Sequence, residues 1–310
     1  MKANLLFASL IAIAGCSKKE GPPPVVPTAP AAEAAGSAVA PAPAPTVAEA
    51  PPPAPPPLPP TPAIPAYTPA AEVPEPIRAA ITATDRTDKD RALDAGRKPG
   101  EVLAFFKIEP GQKVGELFAG PGYTTELIAR IVGDGGKVYA QNSKEVMERF
   151  ARAPINERAA KPEAKAIVVV EQPNEKPFPA EAKNLDAVIC VLNYHDYVWQ
   201  NVDRAKLNKA VFAALKPGGV YGIVDHSAEK GSGLRDVQTL HRIDEAAVKK
   251  EITAAGFKLD LESDVLANPS DPRDWNASPG AAAEKRGTSD RFTLRFVKPG
   301  GKAAKKPAKK

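Results

Sequence analysis

The sequence predicts an α/β fold: a doubly wound, mostly parallel seven-stranded sheet, preceded by a disordered Pro/Ala-rich tether. Strand-like and helix-like segments alternate from residue 99 to residue 297, a pattern that gives a sheet covered by helices on both faces. Residues 187–192 are apolar throughout, as expected for a strand buried on both sides. The chain has 35 prolines, and they are densest in residues 21–76, which predicts a segment too poor in apolar surface to fold.

The elements of the sheet follow one another along the chain. A polar helix is expected over residues 88–98, and Pro99 opens a second one over 100–107. Strands are expected over residues 113–118, 137–141, 166–170, 185–192, 219–224, 258–266 and 291–297. Further helices are expected over residues 123–132, 143–150 with Ser143 as the N-cap, 203–215 and 244–255.

A ligand cleft is expected along one edge of this sheet. In open α/β sheets, ligands bind beyond the carboxyl ends of the strands, where the strand order reverses. The loops around such a cleft are those that follow Phe118, Gln141, Val170, Leu192 and Val224. The first of these loops contains Gly120-Pro121-Gly122, and glycines there let the backbone approach a ligand closely.

Several motifs occur in an order that resembles one enzyme family. Residues 114–122 resemble the first motif of class I S-adenosylmethionine-dependent methyltransferases, in which an acidic strand residue precedes a glycine loop. Residues 216–219 resemble the Lys-Pro-Gly-Gly turn before the family's fifth strand, and residues 171–186 resemble its third-strand loop and fourth-strand entry. Taken together with residues 192–196 and 225–227, these motifs are most similar to those of a poorly characterised bacterial group of predicted methyltransferases. The resemblance covers residues 99–297 and implies the Rossmann-like methyltransferase fold, with S-adenosylmethionine as cofactor.

The resemblance also implies a cofactor site. Glu116 and the glycine loop would surround the amino-acid end of the cofactor, and Glu171 with Gln172 would read the adenine edge. The implied cofactor-binding residues are Glu116, Phe118, Ala119, Gly120, Pro121, Gly122, Asn142, Glu171, Gln172 and Asn193.

The sequence departs from the family's pattern at three of these positions. Phe118 replaces the first glycine of the loop, and Pro121 replaces another small residue. Asn142 stands where most members carry an acidic residue that grips the ribose hydroxyls. An amide still hydrogen-bonds, but it lacks the charge-assisted component, so cofactor binding is expected to be weaker.

The loop after the fourth strand is where this fold usually presents catalytic groups. We expect catalytic roles for Tyr194, His195 and Asp196, and for His226 at the next strand end. His195 is the best general-base candidate because the pKa of imidazole lies near neutrality. The loop lacks the paired prolines of the (Asn/Asp)-Pro-Pro-aromatic motif, which disfavours N-methylation of a base.

Two other interpretations of these residues stay open. The histidines can be structural residues that hydrogen-bond within loops. They can also bind a metal together with Asp196, Asp225 and His241, but no tight ligand spacing such as His-x-x-x-His occurs, so no metal is predicted.

The first residues predict a lipoprotein. Lys2 precedes an apolar run over residues 3–14 that is too short to span a bilayer permanently and ends at Gly15-Cys16. This resembles the lipobox of bacterial lipoproteins, which implies a signal peptide over residues 1–15 and acylation of Cys16. An ordinary secretory signal is the alternative. Ser17, in place of an aspartate, favours the periplasmic side of the outer membrane.

The remaining boundaries follow from composition. Residues 16–76 are expected to form the lipidated linker, 77–298 the folded domain and 299–310 a basic tail. Six lysines lie at the C-terminal end, and removing them from the formal charge of +5 leaves about −1, so no nucleic-acid partner is expected. The tail can instead contact an anionic envelope polymer or lipid headgroups. Cys190 is expected to be a buried small hydrophobe without a disulfide partner.

Two functions are predicted from different classes. The first is a membrane-tethered enzyme that transfers a methyl group from S-adenosylmethionine to a small-molecule or cell-envelope acceptor. The second is a non-catalytic lipoprotein binding module that retains the methyltransferase fold. Export favours the second, because a supply of S-adenosylmethionine is not expected outside the cytoplasm.

Overall fold

The structure, a computed structural model, describes residues 67–300. The predicted signal peptide, Cys16, most of the linker and the tail from residue 301 lie outside the described residues. Predictions for those segments therefore stay predictions. Within residues 67–300, no helix combines the length and the apolar character needed to cross a bilayer.

Seven strands form one sheet in the order β3-β2-β1-β4-β5-β7-β6. They are β1 Lys113–Leu117, β2 Lys137–Asn142, β3 Ile167–Glu171, β4 Leu185–Val191, β5 Leu215–His226, β6 Lys258–Ser263 and β7 Arg291–Val297. The first five pair in parallel, whereas β7 runs antiparallel to both β5 and β6. This confirms the predicted fold class, and it places the reversal of strand order between β1 and β4.

Nine α-helices lie among the strands of the described chain. They are α1 Glu75–Thr82, α2 Asp88–Arg97, α3 Pro99–Phe105, α4 Tyr123–Val132, α5 Lys144–Val146, α6 Arg152–Ala159, α7 Asp196–Trp199, α8 Arg204–Ala214 and α9 Glu245–Ala254. Single 3₁₀ turns occur at Pro162–Ala164 and Ala283–Lys285.

The sheet separates two apolar cores. Along β4, Ala187 and Ile189 belong to the core that contains α3 and α4, while Val188 and Cys190 belong to the core that contains α8 and α9. Successive strand residues point to opposite faces, so a strand in the middle of a covered sheet is apolar at every position. Cys190 is a buried free thiol, as predicted.

The helical segment after β2 is longer than predicted. Ser143 is the N-cap, since its Oγ accepts from the backbone N of Val146 at 3.3 Å. The helix does not end at residue 150; it passes through a π-helical turn, Met147–Ala151, into α6. Pro154 explains the irregularity, because it lacks the N–H that would bond to the carbonyl of Phe150 four residues earlier.

The packed chain begins earlier than the predicted boundary at residue 77. Tyr67 donates its hydroxyl to Glu101 at 2.5 Å, and the backbone N of Ala70 donates to the same carboxylate at 3.0 Å. Val73 is buried and α1 begins at Glu75. The proline content of residues 67–76 predicts linker, but the hydrogen bonds of Tyr67 and Ala70 and the burial of Val73 hold this segment against the domain.

Candidate functional site

The carboxyl ends of β1, β4 and β5 meet at one edge of the sheet. Leu117 is paired with Cys190 and Val191 with Val224, so the segments that follow these strands start side by side. The candidate site is built from the glycine loop, residues 118–122, and from the segment 193–199 after β4. The pairing confirms that the sheet brings the predicted loops to a common edge.

The glycine loop adopts left-handed backbone at three positions. Phe118, Gly120 and Gly122 have φ values of 52°, 57° and 89°. Phe118 thus takes the conformation of the glycine that it replaces, at a cost of about 1–3 kcal/mol for a bulky residue. Its ring is held by an edge contact with Tyr197, with 6.2 Å between the ring centroids.

Gly120 is buried, but a side-chain carbon would fit beside it. A Cβ placed on this glycine would contact only the Phe150 ring, at 3.8 Å, whereas one on Gly122 would lie 3.0 Å from Arg158. Pro121 lies between the two glycines and its carbonyl accepts from Arg158 Nε at 2.9 Å. The loop is therefore less crowded at Gly120 than at Gly122.

Side chains from the end of β2 hold the loop in place. Asn142 Oδ1 accepts from the backbone N of Gly120 at 2.8 Å, and its Nδ2 donates to the carbonyl of Gly120 at 3.1 Å. Gln141 Oε1 accepts from the backbone N of Phe118 at 3.2 Å, and the Gln141 carbonyl accepts from Ala119 N at 2.9 Å. The Asn142 amide is expected to face the ribose hydroxyls, but both its oxygen and its nitrogen are hydrogen-bonded to Gly120 of the loop.

Glu116 lies beneath the loop as an almost fully buried carboxyl. Thr125 in α4 donates its hydroxyl to Glu116 Oε2. Burial raises the pKa of Glu116 from 4.5 to about 7, and the hydroxyl offsets only part of that effect. The charge of this carboxyl therefore changes near neutral pH.

The Glu116→Gln variant is expected to gain stability relative to the native chain as the pH rises. Between pH 4.5 and about 7 the folded protein keeps a proton that the unfolded chain has lost, so the stability of the native chain falls across that window. The shift corresponds to about 3 kcal/mol. Urea denaturation of both proteins at pH 4.5 and pH 8 measures the difference. The same substitution at the exposed Glu148 is the control, and a Glu116→Gln effect independent of pH would contradict the expected pKa.

A groove lies at the ends of β2 and β3. It encloses about 420 Å³ and is lined by Ser143, Glu171, Gln172 and Asn174, among others. Glu171 pairs with Arg152 at 2.8 Å, and the Gln172 backbone bridges to Asn142 and Gln141. Phe150, in the π-helical turn, is 47% exposed. Glu171 and Gln172 are thus beside a cavity, as a role at the adenine edge requires.

Three side chains converge at the ends of β4 and β5. His195 Nε2 lies 3.3 Å from His241 Nδ1 and 3.3 Å from Asp196 Oδ1, and the latter two atoms are 3.5 Å apart. We call His195, Asp196 and His241 the histidine cluster. His195 is almost fully buried, while the side chains of Asp196 and His241 are 14% and 24% exposed.

Asp225, at the end of β5, holds the His195 ring. Its Oδ1 lies 2.7 Å from His195 Nδ1 and its Oδ2 accepts from the backbone N of His195 at 2.8 Å. Burial alone would lower the pKa of His195, but the charges of Asp225 and Asp196 outweigh it and raise that pKa. The pKa of Asp196 is lowered because His241, His195 and Trp199 outweigh the opposing effect of burial.

Other predicted site residues lie outside the cluster. The Tyr194 hydroxyl donates to Glu251 in α9 at 2.9 Å and accepts from Asn208 in α8 at 2.8 Å, so it is in the core on that face and does not reach the cleft. Asn193 Nδ2 donates to the carbonyls of Val191 and Phe118, at 2.7 and 3.4 Å, and ties the two loops together.

His226 is next to the cluster but is engaged elsewhere. Its Nδ1 lies 2.7 Å from Ser289 Oγ, and its ring centroid is 5.8 Å from that of His195. Burial, with the charge of Arg291, lowers its pKa well below 6.5, so the ring is neutral at physiological pH.

The sequence predicts no site role for Gln141, and it offers Asp225 and His241 only as ligands in the metal alternative. Gln141 is uncharged and lies inside a strand, and nothing local to Asp225 indicates that its carboxylate turns to the His195 ring. His241 lies in the long segment between β5 and α9, 46 residues after His195. Its approach to the cluster depends on tertiary folding, for which a local pattern gives no signal.

No protein-family profile and no curated protein matches this sequence. Among solved structures, a S-adenosylmethionine-dependent methyltransferase from Aquifex aeolicus is 19% identical with a TM-score of 0.48, over 68% of this chain and 99% of that one. The [4+2]-cyclase SpnF is 16% identical with a TM-score of 0.49, over 70% and 84%. Fibrillarin from Aeropyrum pernix, with natively bound S-adenosyl-L-methionine, is 15% identical with a TM-score of 0.43, over 66% and 76%.

The fold assignment depends on this chain's own strand order, which is that of the Rossmann-like methyltransferase fold. At such identities and TM-scores the neighbours assign neither an activity nor a ligand to this chain. A fold alone does not determine chemistry.

Proposed function

We propose that this chain is an S-adenosylmethionine-dependent methyltransferase that acts on a small-molecule or cell-envelope acceptor. One observation carries the proposal. A left-handed glycine loop follows β1 where the strand order reverses, and the groove and the partly buried histidine cluster lie at the same edge of the sheet.

The residues present fit this cofactor at both of its ends. The groove beside Glu171 and Gln172 and the exposed ring of Phe150 suit a nucleoside. The buried carboxyl of Glu116 lies under the loop, and the guanidinium of Arg97, 4.7 Å from the Tyr123 ring centroid, is among the charges that act on it. Both suit an amino acid with an ammonium and a carboxylate. The ribose is the exception, because the Asn142 amide is bound to Gly120.

The chemistry divides between the ligand and the chain. S-adenosylmethionine, when bound, supplies a methyl group on a positively charged sulfur. The chain's own contribution is alignment, because methyl transfer depends mostly on holding the acceptor in line. The segment 193–199 is fixed for this purpose by Asn193, by Asp225 and by the contact of Tyr197 with Phe118.

We also propose that the reaction takes place at a membrane, and only the sequence supports this part of the proposal. Acylation of Cys16 would anchor the chain to a membrane, with the outer membrane favoured, and the proline-rich linker would act as a spacer. The lysine-rich tail would add contacts with anionic polymers or headgroups.

A non-catalytic binding module is the second candidate. The commitment of Asn142 to the loop favours it, since no charged group then grips the ribose hydroxyls. Such a module would use the same groove for another ligand.

Calorimetric titration of the purified protein with S-adenosylmethionine and S-adenosylhomocysteine separates the two candidates. We expect one-to-one binding of both at micromolar affinity, because the loop and groove contact parts that the two ligands share. Adenosine alone should bind far more weakly and is the control. No binding to a protein whose circular dichroism shows it folded would reject the enzyme and leave the binding module.

A further inference from the structure

The three polar atoms of the histidine cluster surround a single point. Their separations are 3.3, 3.3 and 3.5 Å. A tetrahedral zinc centre with bonds of about 2.0–2.1 Å places neighbouring ligand atoms about 3.3–3.4 Å apart. Two imidazole nitrogens and one carboxylate oxygen are also a common donor set for divalent transition metals.

The hydrogen bonding of His195 leaves a lone pair directed at this point. Asp225 accepts at Nδ1, which places the proton of the neutral ring there and leaves Nε2 as an acceptor. Nε2 then faces Asp196 Oδ1, a second acceptor, at 3.3 Å. A cation between the two atoms, or an added proton, turns this repulsive contact into an attractive one.

The surroundings match those of a metal ligand. Metal-bound histidines usually donate their other ring nitrogen to a carboxylate that fixes the ring, and Asp225 does this for His195. Asp225 is completely buried and also accepts from the backbone N atoms of His195 and His226, so its position is fixed. Trp199 Nε1 donates to Asp196 Oδ1 at 2.8 Å and orients the third ligand.

We propose that His195, Asp196 and His241 form a site for a divalent transition-metal ion such as Zn²⁺. Three protein ligands leave at least one position open, and the partial exposure of His241 and Asp196 gives solvent access to it. The site does not rest on the proposed methyltransferase activity. Where that activity holds, the open position would take an oxygen of the acceptor and lower the pKa of a bound hydroxyl.

The test is metal titration of the full-length purified protein after removal of metals with a chelator. Calorimetry with Zn²⁺ should give one-to-one binding at micromolar affinity or tighter. Co²⁺ should give the intense visible absorption bands typical of a four-coordinate ion. Neither readout involves S-adenosylmethionine, so the outcome is independent of the proposed reaction.

Two ligand variants and one histidine control make the result specific. His241→Ala removes a partly exposed side chain, and Asp196→Asn keeps the shape of the third ligand. Each is expected to weaken Zn²⁺ binding at least about 100-fold. His226→Gln removes an imidazole outside the cluster and should leave affinity within a few-fold. Absence of binding to the folded native chain, or an affinity in both ligand variants equal to that of the native chain, would overturn the proposal and favour an added proton in the cluster.

Discussion

Replacing Asp271 with asparagine is expected to lower the free energy of unfolding by about 3–5 kcal/mol. Asp271 forms an ion pair with Arg242, with 2.8 Å between Oδ2 and Nη1, and the two side chains are 1% and 0% exposed. The isosteric amide would leave the Arg242 guanidinium buried without an opposite charge. The loss is large because a buried charge without a partner cannot recover its solvation.

Asp271 also organises the chain between β6 and β7. It accepts from the backbone N of Asp290 at 2.6 Å and from Trp275 Nε1 at 2.7 Å, and Arg242 donates to the carbonyl of Trp275 at 3.0 Å. These contacts hold one irregular segment against another, with no strand or helix to support them. The substitution should therefore loosen this region first.

Urea denaturation followed by circular dichroism measures the loss. The matched control is Arg149→Ala, which removes one partner of an ion pair whose side chains are 63% and 65% exposed. That control should change stability by less than about 1 kcal/mol. A loss in the Asp271→Asn variant no larger than in the control would show that the buried pair is not a main contributor to stability.

Replacing Gly120 with valine is expected to weaken S-adenosylmethionine binding by more than about 100-fold. The backbone of Gly120 is left-handed with φ 57°, a conformation that β-branched residues avoid. A Cβ there would contact only the Phe150 ring, at 3.8 Å, so the larger side chain would extend into the volume that the proposal assigns to the ligand.

Gly111 provides a control with the same backbone strain away from the site. Its φ is 78°, and a Cβ added there meets no atom within 4 Å. Gly111→Val should therefore lose stability to a similar degree while it keeps its affinity for S-adenosylmethionine. Calorimetry on both variants separates strain from occlusion. Equal affinity in the two would mean that the glycine loop does not hold the cofactor.

Much of the fold follows from local patterns. The apolar run of β4 predicts a central strand because both faces of the sheet are covered, and β7 is predicted over its full length, Arg291–Val297. The helix α1 was not predicted because the proline-rich composition before it masked its short apolar face. The continuation into α6 was not predicted because its polar residues show almost no amphipathic pattern.

The site was predictable in position but not in the direction of its side chains. The strand-end rule located Asn142, His195 and Tyr194, yet only His195 points into the shared edge. The Asn142 amide turns to Gly120, 22 residues away, and the Tyr194 hydroxyl turns to Glu251, 57 residues away. A buried polar side chain points toward the group with which it forms a hydrogen bond. That partner is distant in the sequence and becomes adjacent only when the chain folds.

The docking of residues 67–73 has a mechanical consequence. A pull along the preceding chain would reach the domain at Tyr67, whose hydroxyl is held by Glu101 and by the backbone N of Gly100 at the start of α3. The pulling force would act first on the hydrogen bonds of Tyr67 and on the packing of Val73, before it acted on any strand of the sheet. The edge of the sheet that carries the candidate site would thus be shielded from tension, and the domain would keep its shape while its attachment point moved.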